Sequence, residues 1–370
     1  MEEQLLTEKL IGYDTSKDEG IKLAAGFVKG WLEARDIAAT ELTVRGLPVS
    51  FAEVGPAHAS ITLLLHGHLD VVPGHAEQFT PRVEGDRLYG RGAYDMKGSV
   101  ACMLLALADL RTEDTVNVKL GIVPDEESEE EVDRGADLLI DQGFTGDFAI
   151  TGEPTDMHVG VAAKGVFAMR IVVSGRAAHG ATPWLGENAI LRAYETFRRI
   201  EALPFAAQSS GLFDRPSINL GRILGGDALN KVPDTCVMDV DVRYLPEQEP
   251  KEILEQVKGI PDVQVVSTFN RPPVLVDTRS PFVKALCRAA APYHQGEVAS
   301  IGRDGASDSV SFLRVGIPAV EFGPLGSGHH GPEEWVSLTS LPSYRRAIVD
   351  FVAGLPSALG ARRHPERSEA

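Results

Sequence analysis

Up to Thr151 the apolar positions of the chain come in two rhythms. Ser60–Leu65, Asn117–Val123 and Asp147–Thr151 are short apolar runs of strand length, whereas Met96–Leu110 repeats its apolar residues at helical spacing. Strands alternating with a helix in this way predict an α/β fold built on a mostly parallel sheet. Such sheets form their crevices beyond the strand C-terminal ends. His68, Asp70, Asp125, Glu126 and Glu153 all fall just past the ends of these runs.

The order then changes. Strand Val166–Ser174, helix Glu187–Ala202, strands Ser217–Leu224 and Thr235–Tyr244, helix Gln248–Val257 and strand Asp262–Ser267 spell βαββαβ, the ferredoxin-like signature. Residues 165–271 are therefore expected to form a small inserted domain. The earlier rhythm resumes with helices Ser280–Tyr293 and Ser307–Val315, strand Ile317–Phe322 and helix Leu341–Ala353. This makes residues 1–164 and 272–359 one discontinuous domain, and the polar segment 360–370 an expected disordered tail. A chain of 370 residues also exceeds the length at which a single core keeps growing.

Charge narrows the function. Lys and Arg number 36 against 53 Asp and Glu, a net charge of −17, and such a field repels nucleic acid and anionic membrane surfaces. The opening MEEQLLTEKL has no basic region leading into an apolar stretch, and no run approaches the ~18 apolar residues of a membrane span. Cys102, Cys236 and Cys287 are far apart and odd in number, which fits neither a disulfide framework nor a thiolate metal site. The expected address is the cytoplasm.

Seven acidic and imidazole side chains stand out: His68, Asp70, Asp95, Glu126, Glu127, Glu153 and His330. They are the inventory of a two-metal hydrolase, which needs a shared bridging carboxylate and several flanking ligands. In LLLHGHLDVVP, His68 can meet a metal while Asp70 accepts its other ring N–H; the competing reading is a satisfied core histidine. In GRGAYDMKG, Asp95 opens a helix and can bridge two ions or simply cap. In PDEES the adjacent Glu126 and Glu127 diverge if extended. One can then bind metal while the other works as general acid and base on a bound water. Glu129, Glu130, Glu131 and Asp133 read as a solvated helix start. TGEPT places Glu153 at a strand end, and GHHGPEEW offers either His329 or His330 as a ligand.

These segments, with SGRAAHGATPWLGENAI, DVRYLP and GASDSVSFL in the same order, resemble the two-zinc aminoacylase, acetylornithine deacetylase, succinyl-diaminopimelate desuccinylase and carboxypeptidase-G family of metallohydrolases over nearly the whole chain. The resemblance implies a zinc-exopeptidase-like α/β/α catalytic domain with the inserted ferredoxin-like domain serving dimerisation. By the same resemblance His68 and Glu153 bind one zinc ion, Glu127 and His330 a second, and Asp95 bridges them around a shared water or hydroxide. Cobalt or manganese is a possible substitute. His330 is preferred to His329 because Pro332, Glu333 and Glu334 follow it in the family pattern. Glu126 becomes the general acid/base and Asp70 the orienter of His68. His179 is matched to a histidine that reaches a neighbouring active site and stabilises the oxyanion, while Asn230 and Arg243 are matched to positions holding the substrate carboxylate. An ion pair inside the domain is the competing reading for Arg243, and a helix cap for Ser307 and Asp308. Ser128 and the glutamates after it depart from the small or glycine-rich turn common in relatives.

The sequence thus points to a homodimeric, di-zinc amidohydrolase that cleaves the amide bond of an N-acyl amino acid in the deacetylase or desuccinylase manner. An exopeptidase acting on dipeptides or C-terminal residues is the alternative, and a catalytically idle metal-binding dimer the reading from a different class.

Overall fold

A computed structural model describes residues 2–128 and 133–360. Glu129–Glu131, expected to be solvated, and the tail from residue 361 lie outside the described residues. The chain divides into two compact units, the larger made of 1–161, 276–301 and 307–370, the smaller of 162–275 and 302–306.

The larger unit is organised by one mixed sheet. Its centre consists of four parallel strands in the order Asn117–Val123, Thr62–His68, Phe148–Thr151 and Ala319–Glu321. The expected parallel arrangement holds there but not at the margins. Leu47–Val54 and Ala39–Val44 extend one side antiparallel, and Val159–Ala163 pairs antiparallel with Ala319–Glu321 on the other. Nearly every residue of Thr62–His68 and Phe148–Thr151 is buried, as central strands covered on both faces require. On one face Leu64, Val123 and Ala149 pack with Leu139, Phe144 and Phe312.

The other face is covered by Gly98–Asp109, a helix apolar almost all round and buried through its first ten residues. This is the helix expected over Met96–Leu110; a short irregular turn at Ala93–Lys97 precedes it. Close approach is secured by glycine. A Cβ on Gly152 would stand 2.5 Å from Met96 Cε and 2.8 Å from Ser99 Cβ, and one on Gly67 would stand 2.9 Å from Met96 Cε and Val100 Cγ2. A second, four-stranded sheet joins Arg82–Glu84 and Arg87–Tyr89 to Trp335–Ser337 and Gly326–Ser327.

The smaller unit has the predicted βαββαβ order: Gly165–Ser174, helix Ala189–Ile200, Ser217–Gly225, Thr235–Tyr244, helix Pro250–Lys258 and Val263–Arg271. Its four strands form an antiparallel sheet with Thr235–Tyr244 and Gly165–Ser174 in the middle. Burial alternates along both middle strands. One face therefore carries Phe167, Met169, Ile171, Met238, Val240 and Val242 against Ala193, Phe197, Ile253 and Val257 of the helices, each large apolar side chain contributing ~1.5–3 kcal/mol. The helix Ala189–Ile200 starts cleanly because Asn188 accepts the Ile190 and Leu191 N–H groups. Ser217–Gly225 is an edge strand and largely exposed.

Candidate metal centre

Parallel pairing aligns three strand ends. His68 lies opposite Val123 and His66 opposite Thr151, so the segments following them emerge side by side. Leu69 N–H then donates to Val123 O and Gly152 N–H to His66 O, carrying the ladder into the loops. His68, the Asp125–Glu127 segment and Glu153 are thereby delivered to one edge. The second sheet brings the other two loops together, because Trp335 pairs with Tyr89 and Gly90 N–H donates to Glu334 O. That places Asp95 beside His330.

All five expected ligands converge. Nε2 of His68 lies 3.3 Å from Asp95 Oδ1 and 3.9 Å from Glu153 Oε1. Nε2 of His330 lies 3.6 Å from Asp95 Oδ2 and 2.8 Å from Glu127 Oε1. The two oxygens of Asp95 thus face different imidazoles, dividing the donors into two sets, His68/Asp95/Glu153 and Asp95/Glu127/His330. Donors ~2.1 Å from a tetrahedral ion stand ~3.4 Å from one another, and the four separations bracket that figure. A divalent cation suits the donors on a second ground: His68 Nε2 and Asp95 Oδ1 are buried without a hydrogen-bond partner, a costly state for polar atoms. Glu126 also offers an oxygen within 4.8 Å of donors from His68 and Glu127. His329 turns elsewhere, its ring edge-on to Tyr94 at 6.0 Å.

Protonation follows from crowding. His68 is pushed down by burial, but the Asp95, Asp70 and Glu153 carboxylates together hold it well above the ordinary imidazole value. His330 is raised to about 10 by Asp95 and Glu127. Burial, then the neighbouring Asp95 and Glu126, raises Glu153 well above the carboxylate range. Burial would raise Asp95 too, yet His330 and His68 together pull it below that range. The raised imidazoles and Glu153 show how much negative charge is gathered here.

Asp70 departs from expectation. His68 Nδ1 lies 2.9 Å from the backbone carbonyl of Asp70 and 3.6 Å from its carboxylate, so the ring N–H is oriented by main chain. The Asp70 carboxylate instead accepts the N–H groups of Glu126, at 3.2 Å, and Glu127, at 2.8 Å. The Asp70 carbonyl thus serves the ring while its carboxylate sets the next loop. Burial raises the Asp70 carboxyl to about 6.

Supporting residues escaped the sequence reading. Glu334, 1% exposed, accepts the N–H groups of Gly92, Tyr94 and Asp95 and the guanidinium of Arg91. Arg134 donates to the Glu126 carbonyl at 2.9 Å and to Asp308 at 3.1 Å. Asp308 is therefore a buried ion-pair partner, with no side-chain capping bond, while Ser307 Oγ donates to Glu321 Oε1 and accepts the Ser309 N–H. The sequence signal was present in Arg91 and Glu334, which sit inside quoted motifs, but their partners are main-chain groups that no residue pattern displays.

His179, Asn230 and Arg243 belong to the smaller unit. His179 and Asn230 are brought together: Gly180 N–H donates to Asn230 O at 2.7 Å, and His179 bridges to Lys231. The His179 ring is exposed, with Nδ1 accepting the Ala181 N–H. Arg243 Nε instead donates to Asp241 Oδ2 at 2.9 Å on the same strand face, the intradomain ion pair weighed as its competing reading.

A cage of carboxylates and imidazoles split by one shared acid, at the strand ends of an α/β sheet, is the equipment of a metal-dependent hydrolase. The chain belongs to Peptidase family M20/M25/M40, whose profile matches residues 64–354. It is 32% identical over 277 residues to "Putative succinyl-diaminopimelate desuccinylase DapE" of Mycobacterium tuberculosis, covering 72% of this chain and 74% of that relative. Among solved structures it is similar to the aminopeptidase PepT of Bacillus cereus, with a TM-score of 0.78 at 18% identity over 95% of this chain and 97% of the other. An M20 family metallo-carboxypeptidase, Sso-CP2 from Sulfolobus solfataricus, gives 0.75 at 21% identity over 95% and 98%. The expected metallohydrolase family and α/β fold with its ferredoxin-like part are thereby borne out. Among the described residues no helix is long and apolar enough to cross a membrane.

Proposed function

We propose that the protein is a two-zinc amidohydrolase that removes an acyl group, of the acetyl or succinyl kind, from the nitrogen of an amino acid. The observation that carries this reading is the facing of the two Asp95 oxygens toward His68 on one side and His330 on the other. His68 and Glu153 would hold one ion, Glu127 and His330 the other, with Asp95 shared. Bound ions of this kind polarise a scissile carbonyl and acidify a water. Glu126 takes the proton released by that water and delivers it to the leaving amine. Asp70 keeps Glu126 and Glu127 in register by gripping both of their N–H groups.

His179 supplies the oxyanion donor and Asn230 and Arg243 the contacts to the substrate carboxylate, with Arg243 exchanging Asp241 for the substrate. The active form is a homodimer, which gives His179 a neighbouring site to reach. In support, the smaller unit exposes Trp184, Leu185, Leu191, Tyr194, Leu224 and Leu229, and exposed apolar side chains that form a contiguous patch mark an interaction surface. Sedimentation equilibrium should give twice the chain mass, and Leu224→Glu should lower it; a wild-type monomer would contradict the dimer. The cytoplasm fits the acidic, cysteine-poor composition.

The relative named as a desuccinylase supports the acyl reading, and the exopeptidase alternative is tested alongside it. N-acetyl and N-succinyl amino acids are compared with dipeptides in one hydrolysis assay with zinc or cobalt added. Faster turnover of the acyl amino acids is expected, and a preference for dipeptides would replace this reading by the exopeptidase one.

A further inference from the structure

We propose that Glu334 and Arg91 form a positioning clamp that sets Asp95 and His330 as one unit, so that loosening it weakens the Glu127/His330 ion, which depends on both residues, more than the His68/Glu153 ion, which shares only Asp95. The inference rests on the two-ion reading above.

Glu334 is enclosed by donors. Its Oε1 accepts the N–H groups of Tyr94 and Asp95, both at 3.0 Å. Its Oε2 accepts Gly92 N–H at 3.0 Å and Arg91 Nη1 at 2.8 Å. The loop that presents Asp95 is therefore moulded around one buried carboxylate. Arg91, 3% exposed, uses its other arm: Nη2 donates to the His330 carbonyl at 3.3 Å. That carbonyl belongs to a residue in the left-handed region, at φ 62°, a conformation that a non-glycine residue keeps only when its surroundings hold it. Both arms of the guanidinium fork land on the 330–334 segment, tying it to the loop that carries Arg91, which a lysine ammonium would not do in the same geometry. His68 and Glu153 take their positions from a different source, the ladder of parallel strands. The two halves of the site are thus mounted unequally: the Glu127/His330 half takes both Asp95 and His330 through Arg91 and Glu334, the His68/Glu153 half Asp95 alone.

The test titrates metal-free protein with Co2+, following the d–d absorption and competing with a chelator. Wild type is expected to bind two ions per chain. In Arg91→Lys and in Glu334→Gln, which turns one acceptor oxygen into a donor facing donors, one ion should bind ~10–100-fold more weakly while the other, sharing only Asp95 with the clamp, weakens by clearly less. The weakened ion should be the one that Glu127→Gln removes and Glu153→Gln spares. Thermal unfolding of the metal-free variants reports whether they fold, and should Glu334→Gln not fold, Arg91→Lys decides. Equal weakening of both ions, or no change in either, overturns the clamp while leaving the two-ion reading intact. A wild-type protein that binds fewer than two ions overturns that reading itself, and the clamp with it.

Discussion

Glu126 and Glu127 are neighbours in sequence to which we assign separate tasks, and the proposed division rests on how their main chain is held. Both N–H groups point to Asp70, and Arg134 grips the Glu126 carbonyl. Glu127 reaches His330 within hydrogen-bonding distance, at 2.8 Å. Glu126→Gln keeps the shape and the metal donors but removes the proton acceptor. Turnover should fall by ~10²–10⁴ with metal content unchanged by elemental analysis; a near wild-type rate would remove Glu126 from the role of base. At this scale the side chains that converge into the cage were legible because imidazoles and acids past strand ends are few and chemically distinctive. Asp70 was misjudged because a residue type cannot reveal whether its carbonyl or its carboxylate turns toward a ring. The importance of Glu334 was hidden for a related reason, since its partners are N–H groups as far as 242 residues earlier in the chain.

Among elements, the central strands and the βαββαβ segment were readable from periodicity because their burial is regular: continuous in Phe148–Thr151, alternating in Thr235–Tyr244. The short pieces were not. Val274–Leu275, Gly326–Ser327 and Trp335–Ser337 hold two or three residues each, too few to show a period, and they exist because a partner strand lies beside them. Packing between helix Gly98–Asp109 and the sheet depends on glycine at the contact. Gly152→Val should destabilise the fold by ~1–3 kcal/mol, because its Cβ already meets Ser99 Cβ at 2.8 Å before any methyl is added. Urea unfolding of the metal-free protein measures this, and an unchanged midpoint would show that the helix can retreat.

For the whole molecule, charge and metal are coupled. Without an ion, His330 is raised to about 10 and His68 and Glu153 are raised well above their ordinary values. His330 therefore carries a proton at neutral pH, and His68 and Glu153 hold theirs to higher pH than free groups do; protons so held must be shed before these side chains can take an ion. Zinc loading should release protons into a weakly buffered solution at pH 7, and affinity should rise with pH; loading without proton release would contradict these assignments. The sign for folding is opposite. A histidine raised in the folded state stabilises the metal-free protein fully below its unfolded value near 6.5 and loses that contribution as pH climbs through about 10. The central claim is that one acid, Asp95, joins two ion sites in a single cage. Elemental analysis after dialysis against zinc tests it most directly. The account predicts two zinc ions per chain in the wild type and loss of tight binding at both sites in Asp95→Ala. A wild-type chain retaining no zinc, or an Asp95→Ala variant retaining two, would contradict it.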